Sequence, residues 1–264
     1  MGDRLKDKVA IITGAGSGVG RSCMTLFAAE GAKVVGCSRT QSALDETLDS
    51  VKSAGGEGIV VSADLSDSAQ CQKVIDAAVA EYGRVDILVH SAGVGWSWGL
   101  KSEGSMDDVA ATSDEKWREV MGINLDACFY MCRGVIPLMQ KQGGGAIVNV
   151  GSISGMLGMS TAHTYTAAKG AMINMTRSIA VTYAKDNIRC NCVAPGHTDT
   201  PMIAPVMSVF DDPEMAERLN PMSRAGTPDE MAYACLVLAD DDASYISGVL
   251  LPVDGGKTAR QFNG

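Results

Sequence analysis

The sequence predicts an α/β fold: a doubly wound parallel sheet of seven strands with helices on both faces. Two observations carry that prediction. Short β-rich apolar runs recur along the chain, and each is nearly continuous in hydrophobicity instead of alternating, as strands buried on both sides require. Longer helix-like segments separate the runs, so successive strands are joined by right-handed crossovers and lie parallel.

Strands are expected at KVAIIT (8–13), KVVGC (33–37), GIVVS (58–62), VDILVH (85–90), AIVNVG (146–151), IRCNCVA (188–194) and VLLPV (249–253). Gly31 ends the first helix at FAAEG, Thr40 and Asp67 stand as N-caps of the next two, and Gly83 closes DAAVAEYG. A long helix follows at about 113–142, another runs through Tyr165 to 184, and a last one starts at Thr227. One domain spanning 1–264 is expected, because 46% hydrophobic content supplies a core and the 8 prolines and 30 glycines scatter without a linker or repeat. Such sheets bind ligands at the carboxyl ends of their strands, so chemistry is sought just after each one.

The net charge of −9 argues against nucleic acid or an anionic membrane as partner, though not against one small anionic ligand held by local donors. The opening MGDRLKDKVAIITG has no apolar signal region, and no run reaches the length of a membrane span. Eight cysteines form no CxxC pair and sit mostly in apolar runs, which reads as buried free thiols in a reducing compartment. His90, His163 and His197 lack metal-motif spacing, so no metal is expected. The expectation is a soluble, acidic, cytoplasmic protein.

After the first strand comes TGAGSGVG (13–20), a TGxxxGxG pattern at Thr13, Gly14, Gly18 and Gly20. Glycines belong where the backbone turns sharply and a pyrophosphate must approach without meeting a Cβ. A helix starting near Gly18 aims free N–H groups at that phosphate; the alternative is a tight turn with no ligand. The second strand ends in GCSRT: Ser38 stands where a carboxylate would accept a ribose 2′-hydroxyl, and Arg39 suits a 2′-phosphate, favouring NADP(H) with NAD(H) as the alternative. Arg39 also reads as a solvated surface residue. Asp64 either holds an adenine amino group or caps a helix, a task for which Asp67 is better placed.

YTAAK (165–169) puts Tyr165 and Lys169 four residues apart, on one face of a helix. A neighbouring ammonium favours the phenolate, so the tyrosine can exchange a proton with a carbonyl or hydroxyl oxygen. Ser152 follows the fifth strand and can donate to a developing alkoxide. Asn124, inside an apolar helical segment, either bonds a backbone carbonyl or holds a water near Lys169.

Together these residues resemble the short-chain dehydrogenase/reductase family, in its compact single-domain branch. The resemblance runs from about Asp7 to Gly256, on TGAGSGVG, Asp64, SAG (91–93), Asn124, Ser152, YTAAK, PGHTDT (195–200) and VDGG (253–256). It implies a Rossmann-type fold, Tyr165 as acid/base, and Lys169 lowering its pKa while bonding the nicotinamide ribose. It further implies that Ser152 orients the carbonyl and Asn124 anchors a water relay. On the dinucleotide it implies Gly14, Ser17, Gly18, Val19 and Gly20 in the first turn, Ser38 and Arg39 after the second strand, and Asp64 with Leu65 after the third. Ser91, Ala92 and Gly93 follow the fourth strand, and Pro195, Gly196, Thr198 and Thr200 lie near the carboxamide. Two departures stand out: the family's NNAG reads HSAG here, with His90 and Ser91, and Ser17 fills a position that is basic in many NADP-preferring relatives.

A variable loop at about 94–112 carries Trp96 and Trp98, which either wall an apolar pocket or form an oligomer contact. By resemblance 201–222 is a substrate lid, with Met202 among its methionines. With His163 near Tyr165, the expected substrate is a bulky, apolar ketone or secondary alcohol, and the expected assembly a homotetramer with the last strand at an interface and a frayed tail beyond it. Rival readings are a 3-oxoacyl-carrier-protein reductase, a non-catalytic dinucleotide-binding regulator, and a sugar-nucleotide epimerase, for which the chain leaves little room.

Overall fold

The computed structural model describes residues 2–261. Met1 and residues 262–264, the end of the tail expected to fray, lie outside that range. Seven parallel strands form one sheet: β1 (Val9–Thr13), β2 (Lys33–Ser38), β3 (Glu57–Ser62), β4 (Ile87–His90), β5 (Gly145–Val150), β6 (Ile188–Pro195) and β7 (Leu250–Val253), in the order β3-β2-β1-β4-β5-β6-β7. The order reverses between β1 and β4, which opens a crevice at their carboxyl ends.

Register explains why the central strands are so nearly continuous in apolar residues. Ile11, Leu88 and Ile147 align across β1, β4 and β5, and so do Ile12, Val89 and Val148 one residue later. Side chains alternate across a sheet, so the first row faces one helical layer and the second the other. The first row packs with Met131, Met139 and Met172, the second with Phe27 and Leu236, and both rows are fully buried. All eight cysteines are free and buried, as expected.

The helices are α1 (Gly18–Ala29), α2 (Gln41–Ser53), α3 (Ser68–Tyr82), α4 (Trp96–Gly99), α5 (Asp114–Met121), α6 (Ala127–Gln142), α7 (His163–Thr182), α8 (Pro213–Leu219) and α9 (Pro228–Ala239). Asp67 caps α3 by accepting from the Ala69 N–H, whereas Thr40 sits at the cap position of α2 without a side-chain bond. Thr227 and Glu230 form a reciprocal capping box on α9. The helix expected over 113–142 is instead interrupted: a π-helical turn at Gly122–Asp126 joins α5 to α6 and carries Asn124. Such turns are rare and concentrate at functional sites. Among the described residues no helix is long and apolar enough to cross a membrane.

Candidate active site

The floor of the crevice is built where β1 runs into α1. Gly14 and Gly18 have φ of +71° and +51°, left-handed values that suit glycine. A Cβ on Gly14 would lie 3.1 Å from the Ala92 backbone, and one on Gly20 would strike the Gly14 carbonyl. The turn therefore lies tight against the residues after β4. Thr13 holds that corner closed: its Oγ1 accepts from the Ser91 N–H at 3.0 Å and the Ala92 N–H at 2.9 Å. Both lone pairs are then used, so its own hydrogen goes to His90 Nδ1 at 3.2 Å. His90 is completely buried as the neutral ring, and burial, with Lys169 second, lowers its pKa to about 3. The departure from NNAG thus leaves the corner intact, through a threonine hydroxyl to which the sequence reading gave no such task.

On the β2 side, Ser38 Oγ is buried without a partner, at the position a Cβ on Gly16 would approach to 2.9 Å. Arg39 is exposed and its guanidinium carbon lies 4.9 Å from the centre of the Trp98 ring. The Asp64 carboxylate folds into its own turn, accepting from the Ser66 N–H and hydroxyl at 3.0 and 2.8 Å, and Leu65 behind it is buried. The cap of α3 is Asp67, not Asp64.

At the other end of the crevice, α7 presents Tyr165 and Lys169, both buried, to a cavity of about 830 Å³. Gly14, Ser17, Gly18, Val19, Ser91, Ala92 and Gly93 line it on one side, with Ser152, Tyr165, Lys169, Pro195, Gly196, Thr198 and Thr200 beyond them. Lys169 Nζ donates to the Val150 carbonyl at 2.9 Å and sits 5.8 Å from the Tyr165 ring centre. Two of its three ammonium donors have no partner among the described residues. Burial pushes the Tyr165 phenol above its ordinary value, and the Ser152 hydroxyl pulls the other way. In the protein alone burial dominates, and the group that opposes it is Ser152. Burial also draws Lys169 below its ordinary value, against the Cys128 and Cys192 thiols. Ser152 Oγ accepts from the Ser154 N–H at 3.0 Å, which leaves its own hydrogen to donate. Of the two roles open to Asn124, backbone bonding is the one seen: Nδ2 donates to the Val120 carbonyl at 3.2 Å and Oδ1 accepts from the Val94 N–H at 3.1 Å.

Residues from 94 onward reach several parts of the site at once. Trp96 meets the Tyr165 ring edge-on at 5.6 Å, and the Ser97 N–H donates to the Met202 carbonyl at 2.9 Å. Trp96 lines the cavity, as do Met202 and Met215 of the expected lid, together with Leu157, Met159 and Val206, which the sequence reading did not single out as pocket residues. Their only prior signal was apolar character. Trp98 and His163, expected on the pocket wall, do not line it. Trp98 turns its Nε1–H to Glu119 at 2.7 Å. His163 is used as a latch: Nδ1 accepts from the Val109 N–H at 2.9 Å, so the other nitrogen carries hydrogen and donates to the Met159 carbonyl at 3.1 Å.

A family model described as enoyl-(acyl carrier protein) reductase matches residues 14–258. A cis-4-hydroxycyclohexanecarboxylate dehydrogenase of Sinomonas cyclohexanicum is 39% identical over 98% of this chain and 100% of its own length. A cyclohexanol dehydrogenase of Acinetobacter sp. (strain SE19) is 34% identical, over 98% of each. The solved structure of a 7α-hydroxysteroid dehydrogenase complexed with NADH and 7-oxo glycochenodeoxycholic acid superposes with a TM-score of 0.87 at 30% identity, covering 96% of this chain and 95% of that one. The chain belongs to the short-chain dehydrogenase/reductase family, and is an oxidoreductase acting on CH–OH groups with a nicotinamide dinucleotide. The site fits that cofactor: left-handed glycines hold the backbone open for a pyrophosphate, and the orphaned Ser38 hydroxyl lies at the end of β2, where an adenosine ribose binds.

Proposed function

We propose that the protein interconverts a bulky, apolar, preferably alicyclic ketone and its secondary alcohol, with NADP(H) preferred over NAD(H). The observation that supports this most is the buried Tyr165 phenol beside Ser152 and Lys169, inside an apolar cavity walled by Trp96 and Met202. When bound, the dinucleotide supplies or accepts the hydride at its nicotinamide and, oxidised, carries a positive charge there.

In reduction Tyr165 Oη gives its proton to the substrate carbonyl oxygen, and the free hydrogen of Ser152 Oγ donates to the same oxygen as charge builds on it. In oxidation the phenolate takes the alcohol proton. Lys169 uses its two remaining donors on the nicotinamide ribose, and its charge favours the phenolate once that ribose organises the site. Asn124 holds the π turn and the Val94 backbone in place behind Lys169, while Thr198 and Thr200 meet the carboxamide. Arg39 takes the 2′-phosphate. The segment 201–222, in which Met202, Val206 and Met215 face the cavity, serves as an apolar lid that excludes water. The chain is further proposed to be cytoplasmic and to assemble as a homotetramer, with the exposed Tyr245 and Ile246 close to the β7 edge at a contact between copies.

The test is a panel of cyclic ketones, small charged keto acids and a 3-oxoacyl thioester, each assayed with NADPH and with NADH. The reading predicts the highest kcat/KM for cyclic ketones with NADPH. Preference for keto acids or for the thioester would overturn the substrate reading, and a higher kcat/KM with NADH the cofactor reading.

A further inference from the structure

We propose that Trp98 is the positioning residue that holds Arg39 ready for the 2′-phosphate, and so sets the preference for NADP over NAD. The inference rests on the Arg39 reading above and deepens it, because an arginine at a sheet edge discriminates only if its donors are kept in place.

Arg39 is exposed, and among the described residues no carboxylate or carbonyl meets its guanidinium. What meets it is the Trp98 ring at 4.9 Å. A cation–π contact ties up no carboxylate or carbonyl partner, so the guanidinium N–H fork stays available to grip a phosphate bidentately. An ion pair would have consumed the same donors. The backbone of Arg39 is fixed independently, since its carbonyl accepts from Ser62 Oγ at 3.1 Å. Next to it the buried Ser38 Oγ has no partner, a second polar group left for a ligand at the same place.

Trp98 is itself braced. Its Nε1–H donates to Glu119 Oε1 at 2.7 Å, and the other Glu119 oxygen accepts from Ser102 Oγ at 2.9 Å and from Lys116 Nζ at 3.1 Å. Against the opposing effect of burial, these bonds hold the Glu119 carboxyl below its ordinary value. Lys116 thus neutralises the carboxylate that braces the indole. The same chain of contacts explains why Trp98 is absent from the substrate cavity: its indole is committed to the cofactor side.

The experiment measures dissociation constants of NADPH, NADH and 2′,5′-ADP for the wild type, Trp98→Ala, Trp98→Phe, Arg39→Ala and the Trp98→Ala/Arg39→Ala double variant. Loss of the stack should weaken NADPH and 2′,5′-ADP about 2- to 30-fold in Trp98→Ala, the range of a cation–π contact, and leave NADH unchanged. Trp98→Phe should recover most of the loss, and Trp98→Ala should add nothing once Arg39 is gone. Equal weakening of NADPH and NADH in both Trp98 variants, or an undiminished Trp98 effect in the Arg39→Ala background, overturns the proposal. If Arg39→Ala lowers the NADPH:NADH affinity ratio and the Trp98 variants do not, the Trp98 proposal alone fails. If Arg39→Ala leaves that ratio unchanged, the NADP reading falls and takes this proposal with it.

Discussion

Replacing Thr13 with valine removes one oxygen and keeps the shape of the side chain, so it isolates what that hydroxyl does. Three groups lose their partner: the Ser91 N–H, the Ala92 N–H and His90 Nδ1. An unsatisfied buried polar group costs roughly 1–3 kcal/mol. Ser91 and Ala92 are half-buried, so the low end, about 1 kcal/mol, applies to each, while His90 is fully enclosed and takes about 1–2 kcal/mol. The sum is a destabilisation of roughly 3–4 kcal/mol, read as a lower urea midpoint at unchanged slope. Because Ser91, Ala92 and Gly93 wall the dinucleotide end of the cavity, the KM for the cofactor should rise with kcat little changed. Thr13→Ser restores the hydroxyl and should recover both. A loss below about 0.5 kcal/mol, the range of an ordinary surface substitution, with an unaltered KM would refute the idea that this hydroxyl holds the corner.

Other outcomes follow from the buried titratable groups. Burial raises the Tyr165 phenol, so its neutral form persists to higher pH; initial rates should show reduction flat through neutrality and oxidation climbing as pH rises towards the phenol's pKa. Lys169→Met removes the nearby ammonium and should move the oxidation limb to higher pH and lower kcat by about 10²-fold or more, measured in full pH profiles. His90 has a folded pKa of about 3 against an ordinary 6.5, so the unfolded chain binds its proton first. Its contribution to stability is complete above about pH 6.5 and is lost as pH falls towards 3. His90→Asn should therefore flatten the acid limb of urea stability across that window, and an unchanged limb would show that His90 is not the titrating group.

The central strands were legible because they bury both faces: a row such as Ile11, Leu88 and Ile147 and its neighbour Ile12, Val89 and Val148 are apolar on either side of the sheet. Tyr165, Lys169 and Ser152 were legible because their types and their places after strands or on one helix face carry a chemistry. The π turn at Gly122–Asp126 was not, since its apolar pattern reads as one continuous helix and only the stray amide of Asn124 marks it. Nor was the fate of Trp98 and His163. Composition says that a loop is aromatic, but which way an indole turns depends on Glu119, Arg39 and a few backbone donors brought near it only by folding. The burial of Tyr165 escaped for a related reason: spacing places a lysine on the same helix face but does not say how deeply the phenol is enclosed.

Substitution of Tyr165 by phenylalanine reaches the centre of the proposal, since it deletes the proton-carrying oxygen and leaves the ring, with its edge-on contact to Trp96, in place. Single-turnover rates of ketone reduction should drop at least about 10²-fold while the NADPH dissociation constant stays as it was. Turnover at the wild-type rate in that variant would mean that the proton comes from elsewhere.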